Sequence, residues 1–337
     1  MASEAPALPR QTSPGDHVAR WLEHFRDRVN LNIVDAQARK PVRLLVGGPR
    51  ASMLVDVVEP GAGGRSAVFE LADAPAAPVD AATRAMIYCR SIDDPAPDPP
   101  PYAGSTLPVF VMEFAPEAPA GPAIATCGPE KKPAPGRPAV YRLSALSAEE
   151  MRKYFFHDVV LACDGLEIAL GAALPALRPT VAAKLTLDCA VTCLKVAGAS
   201  ALADHVPLLG FVLGGIASAG DTIAITGLQI DMLLRIAATY GKRADFARVI
   251  ELLPVIGGGY GWRALARELS GFIPIAGIPI KAGIAYAGTL VVGQAAAYYY
   301  EYGKPLTSDK TSALYYDALE RAKKLASDLI ERARRKK

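Results

Sequence analysis

Lys281 is the only charged residue between Leu269 and Tyr300. The same half of the chain holds two more uncharged runs, Val206–Gly220 and Thr222–Ile230, with Asp221 alone between them. Segments this apolar must be covered on every side, by other helices or by lipid. Gly210, Gly214 and Ser218 lie four apart, so they form a smooth stripe on one helix face and let a neighbouring helix approach closely. Gly283, Gly288 and Gly293 each lower intrinsic helix stability by ~1 kcal/mol relative to alanine, a deficit that tight packing would offset. Two settings stay open. Ala282–Tyr300, with 19 uncharged residues, reaches the lower limit of a membrane span. Tyr298, Tyr299, Tyr300 and Tyr302 suit an interfacial belt or the end of a soluble core.

Glycine and proline divide the chain into four parts. Residues 1–40 read as a loose tail followed by a helix from Asp16 to about Gln37, with Trp21, Leu22, Phe25 and Val29 on one face and Pro41 ending it. In residues 41–146 the runs Val42–Val46, Met53–Val58, Val68–Leu71, Ala85–Cys89, Val109–Phe114 and Val140–Leu143 read as strands bounded by Gly or Pro. The first strands are continuously apolar, as in a sheet covered on both faces. Thirteen of the 28 prolines lie between Pro95 and Pro138, so extended connections are expected there. In residues 147–303, Ser147 and Glu150 fit a capping box. Helices are predicted over 148–162, 166–174, 180–202, 208–220, 222–240, 244–256, 260–270 and 278–302. Residues 304–337 hold a last helix, about Ser308 to Arg335, with Leu314, Ala318, Leu325 and Leu329 in one stripe. From Glu301 onward there are ten Lys/Arg and six Asp/Glu, a net of 10 − 6 = +4, which leaves the rest of the chain at about −1.

Half of the chain is hydrophobic and 21% is charged, which excludes a disordered chain. A net charge of +3 is too small for a nucleic-acid binder. The five cysteines, an odd number without a regular framework, point to free thiols in a reducing cytosol. The polar, Pro/Ala-rich N-terminus lacks the apolar run of a signal peptide, so export is not expected.

Gln229-Ile230-Asp231-Met232-Leu233, Ile236-Ala237 and Tyr240-Gly241 follow Asp221. They precede Gly257-Gly258-Gly259, Arg263, Ala266-Arg267, Ile273-Pro274, Ala285-Tyr286-Ala287-Gly288-Thr289 and Gly293. This ordered series, over about residues 165–303, resembles the YcjF-like helical domain (domain of unknown function 697) that follows small GTPase domains in many bacteria. The resemblance implies a helical bundle with a G domain in front of it. It singles out Asp221, Gln229, Tyr240, Gly241, Arg263 and Gly288, and it brings no established activity.

Residues 41–146 have the feature order of such a G domain. Val42–Val46 stands where the first strand meets the phosphate loop. Phe69-Glu70-Leu71 with Asp73-Ala74-Pro75-Ala76 resembles the third strand and its Asp-x-Pro-Gly motif. Ala85–Cys89 with Ser91-Ile92-Asp93-Asp94-Pro95 resembles the fourth strand and its exit. Val109–Met112 precedes the guanine-clamp position, and Ser144-Ala145 resembles the late Ser-Ala motif. The chemistry has gone. A phosphate loop needs glycine-rich backbone N–H groups, a Lys against the phosphates and a hydroxyl on Mg²⁺. Gly47-Gly48-Pro49-Arg50-Ala51-Ser52 is short, lacks the Lys and loses a donor at Pro49. Ala76 replaces a glycine, and Glu113-Phe114-Ala115-Pro116 replaces the clamp. The fold expectation is therefore α/β plus all-α: a degenerate P-loop GTPase-like domain followed by a glycine-rich helical bundle.

Other chemistry-bearing residues have plainer readings. Arg50 could meet a phosphate, but a solvated loop arginine is favoured. Cys189 and Cys193 share a helix face near Asp204 and His205, where core packing is favoured over metal binding. His17 and His24 read as an exposed face, and His157-Asp158 as surface. Asp221 reads as a functional polar group or, preferred, as the N-cap of the next helix. Lys281 either snorkels to a surface or pairs with a carboxylate. No catalytic set, metal or cofactor is expected. The leading functional expectation is a non-catalytic regulatory or scaffolding protein on the cytoplasmic side of the membrane or in the cytoplasm, with a GTPase or another protein as partner. The basic last helix would then lie on an anionic membrane surface. The alternatives are an atypical nucleotide-binding enzyme and a membrane-inserting helical module with Asp221 and Lys281 facing its interior.

Overall fold

The computed structural model describes residues 30–61, 66–71, 81–95, 105–114, 138–203, 210–257 and 278–335. In chain order the elements are α1 (Leu31–Ala38), β1 (Arg43–Gly47), α2 (Ala51–Val58), β2 (Phe69–Leu71), β3 (Thr83–Ser91), β4 (Val109–Phe114) and β5 (Ala139–Leu143). The helical half follows with α3 (Ala148–Tyr154), α4 (Phe156–Ala162), α5 (Glu167–Ala173), a 3₁₀ turn (Pro175–Leu177), α6 (Arg178–Ala203), α7 (Gly210–Thr239), α8 (Phe246–Gly257), α9 (Ile278–Tyr302) and α10 (Ser308–Arg335).

The five strands form one sheet in the order β2-β1-β3-β4-β5, every pair parallel. Parallel neighbours need crossover connections, and α2 is one of them. Met53–Val58 is thus helix and not strand. Its buried residues Ala51, Leu54, Val55 and Val58 recur at i, i+3, i+4 and i+7, and that period outweighs the β-propensity of the valines. Leu44, Val46, Ala85, Ile87, Cys89, Phe110, Met112 and Tyr141 put one sheet face into a core shared with α2 and with Met151, Phe155, Phe156, Val160, Leu170 and Val181. Leu45, Met86, Tyr88, Val109 and Val111 form a second cluster on the other face. Burial on both faces matches the unbroken apolar runs.

Several boundaries differ from the sequence expectation. Asn30 is extended and caps α1 by accepting from the Ile33 N–H, so no helix runs unbroken from Asp16 to Gln37; residues 16–29 lie outside the described residues. The expected helix 148–162 breaks at Phe155, whose ring turns into the core against Phe110 and Tyr141. Ser147 does cap α3 by accepting from the Glu150 N–H at 3.2 Å. Glu150 does not complete the box, because its carboxylate accepts from the N–H groups of Ser144 and Ala145 and from the Ser144 hydroxyl. α7 runs without a break from Gly210 to Thr239. Asp221 therefore lies inside a helix and is no N-cap.

In the helical half α6 and α9 pack at very short range. A Cβ built on Gly293 would come 2.3 Å from Thr186 Oγ1 and 2.8 Å from Thr186 Cβ, so only glycine fits there. α10 lies along α9: Tyr315 and Ala318 cluster with Ala287 and Val291, and Ala322 with Ala282 and Tyr286. The buried stripe is thus rotated from the expected one, and Leu325 is exposed. α1 docks on the helical half through Val34, which packs with Ile168 and Ala238, and through Asp35, which accepts from the Ala244 N–H at 2.8 Å. Among the described residues no helix is long and apolar enough to cross a membrane. Gly293→Ala gains helix propensity but overpacks a rigid contact. It is expected to destabilise the protein by about 1–2 kcal/mol in urea unfolding, and Thr186→Ala should recover part of that loss in the double variant.

Candidate functional site

In an open parallel sheet, ligands bind beyond the carboxyl ends of the strands, where the strand order reverses. Here that point lies between β1 and β3, at Gly47–Arg50 and Ser91–Asp94. The sequence folds tightly across it. Gly48 takes φ +99°, and a Cβ there would meet the Cys89 carbonyl oxygen at 2.3 Å. The Arg50 N–H donates to that same Cys89 oxygen at 3.1 Å, and the Ala51 N–H donates to the Gly48 carbonyl at 3.1 Å. Two backbone donors that a phosphate would require are therefore already committed, and Pro49 has none.

Charge fills the rest of the crevice. Arg50 Nε lies 3.6 Å from Asp94 Oδ2, and its guanidinium stands 6.0 Å from the centre of the Phe114 ring. Asp94 Oδ2 also accepts from the Ser91 N–H at 2.7 Å, which closes the turn after β3. Arg50 is thus a loop arginine held by its own chain. In the adjoining positions Arg90, Glu113 and Arg142 come from three neighbouring strands in register. The Glu113 carboxylate takes Arg90 on one oxygen and Arg142 on the other, the latter at 3.0 Å. Burial acts to raise the Glu113 pKa, but the hydrogen bonds and charges of the two arginines outweigh it, and the net shift is downward. Burial pushes the Cys89 thiol up to about 12, against a smaller opposing effect of Arg50, so it stays protonated.

Sequence reading named Glu113 only as a missing clamp residue and did not single out Arg90 or Arg142. The available signal was one charge near the carboxyl end of each of three consecutive apolar strands. Asp158, read as surface, is half-buried and accepts from the hydroxyl of the fully buried Tyr141. His157 is exposed, as expected.

The residues marked in the helical half separate into distinct places. Gln229 Nε2 donates to Thr289 Oγ1 at 2.9 Å, and Thr289 donates to the Ala285 carbonyl at 2.7 Å, so two pieces of the ordered motif meet across α7 and α9. Cys193 is buried beside this pair, while the Cys189 thiol donates to the Leu228 carbonyl at 3.5 Å. Cys89, Cys163, Cys189 and Cys193 are all free thiols. Gly241 has φ +74° and ends α7, with Lys242 N–H donating to the Ala237 carbonyl at 3.0 Å, which is a left-handed helix cap. Tyr240 is buried and stacks on Tyr300 at 5.7 Å. Gly210 opens α7, which also carries Gly214 and Asp221; Lys281 and the half-buried Gly288 lie on α9. Arg263 lies outside the described residues. Among the described residues no group of three or more His, Cys, Asp or Glu could hold a metal ion.

Glu113→Gln tests the three-strand charge cluster. Because the folded pKa of Glu113 is depressed, its contribution to stability is complete above the ordinary value of 4.5 and is lost as pH falls through the folded value. The wild type should lose urea stability over that acidic range more steeply than Glu113→Gln, and the two curves should differ most near neutral pH.

No protein-family model, curated protein or solved structure matches the chain.

Proposed function

We propose that this chain is a non-catalytic regulatory or scaffolding protein: a GTPase-like α/β unit that has lost nucleotide binding, joined to a YcjF-like helical domain that contacts a GTPase or another protein. One observation carries the reading. At the switch point, where a nucleotide phosphate would sit, the Arg50 and Ala51 N–H groups are spent on the chain's own carbonyls and Arg50 is paired with Asp94. A phosphate entering there would have to break the Arg50 N–H bond to Cys89 and displace the Asp94 carboxylate, without a lysine to repay the loss. The order of strands and motifs along residues 41–146 supports the GTPase-like half, and the contact between Gln229 and Thr289 gives the helical motif a physical basis. A fluorescent GTP or GDP analogue with Mg²⁺ should show no saturable binding to the full chain. Micromolar binding that unlabelled nucleotide competes away would overturn the reading.

For attachment to the cytoplasmic side of a membrane, the same reading assigns the charged face of α10. The apolar residues Tyr315, Ala318 and Ala322 are covered by α9, whereas Arg321 and Lys324 are exposed. An attachment made by charge alone depends on ionic strength, each basic residue near an anionic surface contributing ~1 kcal/mol. Co-sedimentation with phosphatidylserine vesicles should be lost in high salt and with phosphatidylcholine alone. Binding that persists in high salt would contradict an electrostatic attachment.

A further inference from the structure

Lys184, Asp188 and Thr192 recur four apart on one face of α6, and Leu228, Asp231, Met232 and Arg235 recur at i, i+3, i+4 and i+7 on one face of α7. These faces are two walls of a cleft of about 400 Å³. Gly165, at φ +75°, turns the chain between α4 and α5 and brings Asp164 and Glu167 onto the same lining. The volume falls within the roughly 300–1,000 Å³ of small-molecule sites.

The lining carries four carboxylates, Asp164, Glu167, Asp188 and Asp231, against two cations, Lys184 and Arg235, a net of −2 in a chain of net charge +3. Both cations are committed. Lys184 Nζ stands 3.0 Å from Glu167 Oε1 and 2.8 Å from Asp188 Oδ2, and Arg235 Nε stands 2.6 Å from Asp231 Oδ2. Glu167 is 9% exposed, so Lys184 serves as the counter-ion of a buried carboxylate. Burial works to lower the Lys184 pKa, but its hydrogen bonds to Asp188 and Glu167 outweigh that, and the net shift is upward. These pairs use one oxygen each of Asp188 and Asp231, and Asp164 has no ion-pair partner among the described residues. An anion would meet this excess of carboxylate without a free cation to hold it. The acidic groups are also spread along the cleft and not gathered at a point, since no three of them could hold a metal ion. A ligand that neutralises them has to be extended, with positive charge at intervals. Leu228 and Met232, beside Asp231 on α7, offer apolar surface to the chain between those charges. We propose that the cleft binds a small aliphatic polyamine, with ammonium groups on Asp164, Asp188 and Asp231 and methylenes against Leu228 and Met232.

Calorimetric titration of the full chain at fixed ionic strength compares spermidine with butylamine, which has one ammonium group, and with magnesium chloride. Spermidine should bind saturably at one site, and the other two about ten-fold more weakly, the scale of two lost ion pairs. Asp164→Asn and Asp188→Asn should each weaken spermidine by about two- to five-fold, the scale of one exposed ion pair. Thr192→Arg, which sets a guanidinium one turn from Asp188, should abolish binding. Positions 164, 188 and 192 are exposed, so the thermal midpoints of these variants should stay close to that of the wild type. Asp317→Asn, on the exposed face of α10, should leave binding unchanged. Absence of saturable spermidine binding, equal binding of butylamine or Mg²⁺, full binding by Thr192→Arg, or an equal loss in Asp317→Asn would overturn the proposal.

Discussion

From Ala282 to Tyr300, α9 carries no charged residue, so it persists in folded form only while other elements enclose it. α6 approaches so closely at Gly293 that a methyl group has no room. α10 covers Ala287 and Val291, and α7 reaches Thr289 through Gln229. Such a helix has little amphipathic direction of its own, and its orientation comes from where its small residues let partners in. Gly293 fixes the register against Thr186, a Cβ on Gly283 would stand 3.3 Å from Leu319 of α10, and the polar pair Gln229–Thr289 is satisfied only when α7 and α9 are aligned. A buried hydroxyl and a half-buried amide that complete each other penalise other registers more than apolar contacts do.

Segments with a strong period were legible in the sequence. The strands around Val46, Ile87 and Val111 stand where apolar runs placed them, as does α10. Met53–Val58 was misread because a short valine-rich run fits either period, and only the parallel crossover decides between them. Asp221 was read as a cap because a charge between apolar runs looks like punctuation, but α7 passes through it. Glu150 was expected to reach back to Ser147 and instead ties down the turn at Ser144 and Ala145, a choice set by the chain that precedes the cap.

Pro49 and the absence of a lysine are visible in the sequence, but the contacts that fill the β1–β3 crevice are not. Arg90, Glu113 and Arg142 are distant in sequence and adjacent only because β3, β4 and β5 are parallel and in register. Their pairing joins three strand ends, and removing both arginines would leave the buried Glu113 carboxylate uncompensated. At the sheet edge, charge therefore binds strands to one another.

At the β1–β3 switch point the Arg50 and Ala51 backbone N–H donors and the Arg50–Asp94 and Arg90–Glu113–Arg142 charges have partners within the chain, which leaves little for an incoming molecule to gain. Binding is strongest where a ligand relieves a penalty the free protein carries, and weakest where it must break contacts already made.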